Sequence, residues 1–337
     1  MVRMASLVPL FESHRGGTLE SVNFGAVAVC DSQGRVLGAA GDPHWLTFTR
    51  STLKPLQALP FLQSGGAQAL GFTASNIALL CASHSGEPMH VEQVQQMLDK
   101  AGVGLRRLQC GCHVPYYVEQ GVGAAPAAFD ERHHNCSGKH TGFLAHCVHR
   151  GWPLDSYLEP AHPLQQEVRR DVARAVGLSE GELRMGIDGC SAPNYAMPLA
   201  HLARGYARLA RGAADGEFGA SFAALAGAMG EFPELGSGTG RNDLAFMRAG
   251  GGDWLSKAGA DGVQVVASKS RGQAVAVKIA DGGKLAAAAV TVAALDQLGW
   301  LDGHQREELR PWRAQEILSV RGAPVGERKT AFRLAPA

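Results

Sequence analysis

Charge of one sign is what this chain lacks first: 32 Lys and Arg stand against 31 Asp and Glu in 337 residues. Such a balance builds no broad field, which argues against nucleic acid or an anionic membrane as partner. Long apolar runs are scarce too. The patch Leu7–Phe11 is too short for a secretory core, and the run Leu285–Leu295 ends at Asp296 at the length of a buried helix. The 7 cysteines are odd in number and scattered (Cys30, Cys81, Cys110, Cys112, Cys136, Cys147 and Cys190), so they do not read as a disulfide framework. These absences predict a soluble, cytoplasmic protein with reduced thiols. No GxGxxG follows a strand-like run and no phosphate loop is present, so nucleotide binding has no support. A small molecule or another protein is left as the partner.

What is present is the material of a compact globule, 45% apolar with 43 glycines. Val22–Cys30 is largely apolar, Asp31-Ser32-Gln33-Gly34 supplies turn chemistry, and Arg35–Gly38 resumes an extended pattern. That is a β-hairpin. A second unit returns late, over 262–267 and 273–279. Between them lie helical patterns over 51–62, 74–82, 90–101, 137–149, 165–176, 197–209 and 221–229. Hairpins far apart in sequence invite pairing into one antiparallel sheet. The prediction is a mixed α/β (α+β) body, one domain over 1–337. Its sheet comes from about 5–50 and 255–337, and a mostly helical middle over about 51–254 covers one side.

The chemistry concentrates in a few segments. Ser51 and Lys54 in Arg50-Ser51-Thr52-Leu53-Lys54 stand three apart, where Leu53, Leu56, Leu59 and Leu62 mark an apolar helix face. On a helix that spacing sets hydroxyl and amine on one side, a turn apart. A neutral lysine there takes the proton that makes serine a nucleophile. Ser83-His84-Ser85-Gly86 forms a polar knot past the buried run 77–81, and Ser83 is a second nucleophile or proton carrier. Lys257-Ala258-Gly259 has the lysine, small residue, glycine order of the third motif of penicillin-binding enzymes, and the three features follow in that enzyme's order. Cys136, at a helix start beside histidines and Lys139, reads as an acidic thiol, either nucleophile or metal ligand. If Cys190 folds back on it, two soft donors and a nitrogen suit zinc.

These segments, together with His134-Asn135-Cys136-Ser137-Gly138-Lys139-His140 and Asp188-Gly189-Cys190-Ser191-x-Pro193, resemble those of the rhizobial-type L-asparaginases, the inducible, thermolabile class. The resemblance implies a body similar to serine β-lactamases and glutaminases, assembled as a homodimer, that hydrolyses L-asparagine to L-aspartate and ammonia. It implies two couples, Ser51 with Lys54 and Ser83 with Lys257, and one zinc ion per subunit on Cys136, Lys139 and Cys190. Asp261 stands where the family commonly has glutamate. For a zwitterionic substrate, Asp188 is the candidate for the α-ammonium, and Arg50 or His140 for the α-carboxylate. A glutaminase, a β-lactamase-like or peptidase-like serine hydrolase, and a non-catalytic amino-acid-binding protein are the alternatives.

Overall fold

The computed structural model describes residues 5–313 and 315–336. Its centre is one long strand, β2 (Thr18–Asp31), exposed over its first half and buried over its second. On one side β1 (Val8–Arg15) pairs with the first half and β3 (Val36–Ala40) with the second, while β9 (Gln273–Ile279) runs along the other side. Outward from β9 follow β8 (Val263–Ser268) and the edge strand β7 (Trp254–Gly259). Outward from β1 come β11 (Pro324–Thr330) and β10 (Glu316–Leu318), and β12 (Ala335–Pro336) pairs with β3. All of these pairings are antiparallel.

The period of two in the central strands divides the interior into two cores. Ala26, Ala28, Ala274 and Ala276 face one way, into a cluster that holds Leu202, Tyr206 and Leu209 of the helix Leu199–Arg211. Val27, Val29, Val275 and Val277 face the other way, into a cluster with Ala286, Ala287, Val290 and Ala294 of the helix Lys284–Gln297. The alanine face therefore receives the bulkier helix and the valine face the alanine-rich one, which keeps both layers closely packed. This is the antiparallel sheet covered by helices that the sequence predicts. Among the described residues no helix is long and apolar enough to cross a membrane.

The helix expected over 51–62 is broken into a 3-10 turn, Arg50–Leu53, and two short pieces, Lys54–Gln57 and Leu59–Gln63. Pro55 and Pro60 each stand near the start of a piece, where the missing N–H costs nothing. A second, three-stranded sheet backs this turn, in the order β4 (Leu46–Phe48), β6 (Pro193–Pro198), β5 (Arg184–Ile187). Lys257 lies inside the edge strand β7, as Trp254 to Gly259 pair with β8.

Candidate active site

Ser51 owes its position to the residue before it. Arg50 has φ +50°, a left-handed backbone that costs a side-chain-bearing residue on the order of 1–2 kcal/mol. Asn194 of β6 holds it there with both ends of one amide: Oδ1 accepts the Arg50 N–H and Nδ2 donates to the Arg50 carbonyl, each at 3.0 Å. The Ser51 N–H is second in a 3-10 turn and has no acceptor among the described residues, so it is free to meet an anion. Gly259 at the end of β7 closes on the turn. A Cβ there would stand 3.0 Å from the Thr49 carbonyl oxygen. Ser51, Ser83, Asn135 and Gly259 line one cleft of about 530 Å³ together with Tyr116 and Arg241.

Lys54 and Lys257 are each 1% exposed. Lys54 Nζ lies 2.6 Å from the Ala82 carbonyl oxygen, 3.1 Å from that of Asn135 and 3.0 Å from Ser83 Oγ. An ammonium would donate to all three; a neutral amine would donate two hydrogens to the carbonyls and turn its lone pair to the Ser83 hydroxyl. Burial pushes this amine below its ordinary value. Lys257 Nζ instead lies 3.2 Å from Asp243 Oδ2 and 3.0 Å from its neighbour's carbonyl, Ala258 O. Burial lowers Lys257 to about 8 even though the Asp243 charge opposes the shift. Burial would lift Asp243 in turn, but Lys257, the Ala258 N–H and the Gln264 amide outweigh it and keep the carboxyl below its ordinary value.

Neither couple implied by the resemblance is hydrogen-bonded as a pair. Lys54 reaches Ser83, and Lys257 reaches Asp243; Ser51 hydrogen-bonds to neither amine. The reason is electrostatic, since a buried ammonium gains more from a carboxylate than from a hydroxyl. Two of the three residues expected to grip the substrate's ends are also committed elsewhere. Arg50 Nε is 2.8 Å from Asp188 Oδ1, and the same guanidinium bonds Asp261. The pair neutralises both candidates. His140 is 0% exposed, with Nδ1 2.7 Å from the Tyr157 hydroxyl, so it stands behind the cleft wall and faces no substrate.

The soft donors do converge. Lys139 Nζ is 3.1 Å from Cys190 Sγ, and the Cys136 and Cys190 sulfurs act on each other, raising the Cys136 thiol and lowering Cys190. The burial penalty on the Lys139 amine is outweighed by those two sulfurs, which hold its proton affinity up. Burial brings His140 down to about 4, so the ring is neutral. Tyr157 accepts the Gln109 N–H at 3.0 Å and pairs with Nδ1, while Nε2 is buried without a hydrogen-bond partner among the described residues. Two sulfurs and an amine in a dry corner fit a thiophilic metal. Among the described residues no three His, Cys, Asp or Glu side chains gather as metal donors, so a metal there would need the amine as its third.

Sequence reasoning missed Asn194, Tyr116, Arg241 and Asp243. A signal for Asp243 existed: Gly238-Thr239-Gly240 is a turn, and an acid soon after it marks the first turn of a helix, here Asn242–Ala249. Its meeting with Lys257 had no local sign. A solved β-lactamase structure from Mycobacterium bovis is similar at 18% identity and a TM-score of 0.41, over 81% of this chain and 94% of that one. No curated protein matches the chain. The model of the L-asparaginase II family matches residues 11–330. The chain belongs to the L-asparaginase II family.

Proposed function

We propose that the protein is an L-asparagine amidohydrolase, releasing L-aspartate and ammonia through a serine nucleophile. The observation that carries the reading is the sharing of one cleft by Ser51 and Ser83, with the Lys54 amine hydrogen-bonded to Ser83 and pushed below its ordinary value by burial. Ser51 is the nucleophile. Its proton passes to Ser83 as the Ser83 proton moves to Lys54, so Ser83 acts as carrier and Lys54 as base. The Ser51 oxygen bonds the side-chain amide carbon, and the free Ser51 N–H is placed for the oxyanion that forms. The C–N bond then breaks, the proton held at Lys54 returns through Ser83 to the leaving nitrogen, and ammonia departs. Water, deprotonated along the same path, hydrolyses the β-aspartyl ester and restores Ser51. Lys257, beside Asp243, is the charged partner that favours negative charge developing in the cleft.

Cys136, Lys139 and Cys190 would hold one zinc ion, and a bound ion would supply Lewis-acid character there. The same reading carries a homodimer in the cytoplasm, a setting with which the seven free cysteines agree. Ammonia release and ring opening, followed on asparagine, glutamine and a β-lactam, test the substrate. Ser51→Ala should lose turnover with the metal content unchanged. Asparagine hydrolysis near the parent rate in that variant removes Ser51 as nucleophile, and ring opening without ammonia replaces the amidohydrolase reading with the β-lactamase one.

A further inference from the structure

The reading above gives the substrate an α-carboxylate, and the cleft must offer it a cation with free donors. Arg50 is taken by Asp188 and Asp261. Lys54 and Lys257 are buried and held by backbone carbonyls, Ser83 and Asp243. Lys284 lines the cleft but is exposed at the start of its helix, where water competes with any ligand. Arg241 remains. It lines the cleft with both serines, is half-buried, and its guanidinium makes no ion pair or hydrogen bond with a described residue. The guanidinium carbon stands 5.1 Å from the centre of the Tyr116 ring. Its charge also acts on Lys257 and Asp243, which puts it close to the reacting groups.

A ring engages the face of a guanidinium and leaves the in-plane N–H groups open. Those N–H groups match the two oxygens of a carboxylate. We propose that Arg241, steadied by Tyr116, is the receptor for the substrate's α-carboxylate and makes the cleft select amino-acid amides over simple amides. The assignment rests on the substrate reading and deepens it.

The test compares the wild type with Arg241→Lys and Arg241→Met, all shown folded by thermal melts, in asparagine kinetics. It also measures calorimetric binding of L-aspartate and of β-alanine, which is aspartate without its α-carboxylate. Charge-assisted hydrogen bonds contribute about 1.5–3 kcal/mol, so R241M should raise the asparagine KM and the aspartate Kd roughly 10- to 100-fold, with kcat changed far less. R241K, a point charge without the planar fork, should fall between. Binding of β-alanine should stay within about 3-fold across the series, as only a carboxylate it lacks is affected. An asparagine KM unchanged in R241M, or aspartate and β-alanine weakened alike, overturns the role of Arg241. A wild type inert toward asparagine overturns the substrate reading instead, and this assignment with it.

Discussion

Lys54 and Lys257 are equally buried and lie near the same cleft, yet one amine faces carbonyls and a hydroxyl while the other faces a carboxylate. Burial acts on both in the same direction, toward the neutral form. What separates them is the company each keeps. A site that needs a base and a fixed cation obtains both from one residue type by giving only one of them an acid, as other active sites set two carboxylates to different tasks by environment.

The sharpest way to break that comparison is to remove the base. Lys54→Met keeps the length and burial of the side chain but leaves Ser83 without its acceptor, and kcat should fall about 10²- to 10⁴-fold, the usual contribution of general base catalysis. Single-turnover ammonia release measures it; a loss under 10-fold would mean that Lys54 is structural. Next in size is Asp243→Leu, which strands the Lys257 ammonium in a dry site. Losing one partner of a buried pair costs about 3–5 kcal/mol, readable as a lowered denaturant midpoint. Lys54→Met has no such charge to strand, so its midpoint should move less. Equal shifts in the two variants would erase the distinction.

The pH dependence separates the two amines further. Lys257 faces Asp243 and the Ala258 carbonyl and feels the charge of Arg241; burial brings it to about 8 in the fold. As a cation it acts below that value, so kcat/KM should fall roughly 10-fold per pH unit above it. Asp243→Asn removes the charge that holds the value up, and the falling limb should move to lower pH. A limb that stays put, or activity that rises through pH 8, makes Lys257 a neutral participant. Stability runs the other way. The unfolded amine keeps its proton up to its ordinary value of 10.5, so between about 8 and 10.5 the unfolded chain binds more protons. This residue's contribution therefore favours the fold increasingly as pH rises across that window.

The parts of this arrangement legible in the sequence are those set by near neighbours. The turn at Asp31–Gly34 between apolar runs gives β2 and β3, and the same signals give β8 and β9, because turn chemistry and a period of two act over a few residues. Strands β1 and β11 escaped notice because they carry Glu12, His14, Arg15, Glu327 and Lys329, polar residues that pair through their backbones toward the sheet's edge. The seven-residue helix Ala74–Leu80 shows in its pattern, whereas the break at 51–62 comes from two prolines that the leucine spacing hides. At the site, the types of residue were readable and their partners were not. Cys136 and Cys190 meet across 54 positions of chain, and Lys257 meets Asp243 across a turn between helix and strand. Such meetings depend on how whole elements pack, which spacing does not encode.

The smallest effect concerns the turn that carries Ser51, where strain is held by one amide. Asn194→Ala removes both hydrogen bonds to Arg50 and the weaker one from the Thr49 hydroxyl at 3.3 Å. An unmet backbone group costs about 1–3 kcal/mol, and water entering the half-buried turn should hold the loss near the lower end. The left-handed Arg50 then has little reason to persist, and the Ser51 hydroxyl should drift from its line of attack. A shift of about 1 Å is worth up to 10²-fold in rate, so kcat should drop about 10-fold or more with KM nearly constant. Asn194→Asp keeps the acceptor for the Arg50 N–H but loses the donor to its carbonyl, and should fall between the two. If instead Asn194→Ala lowers the melting point and leaves kcat intact, the amide stabilises the turn without aiming the serine, and the left-handed residue is held by its ion pairs with Asp188 and Asp261 alone.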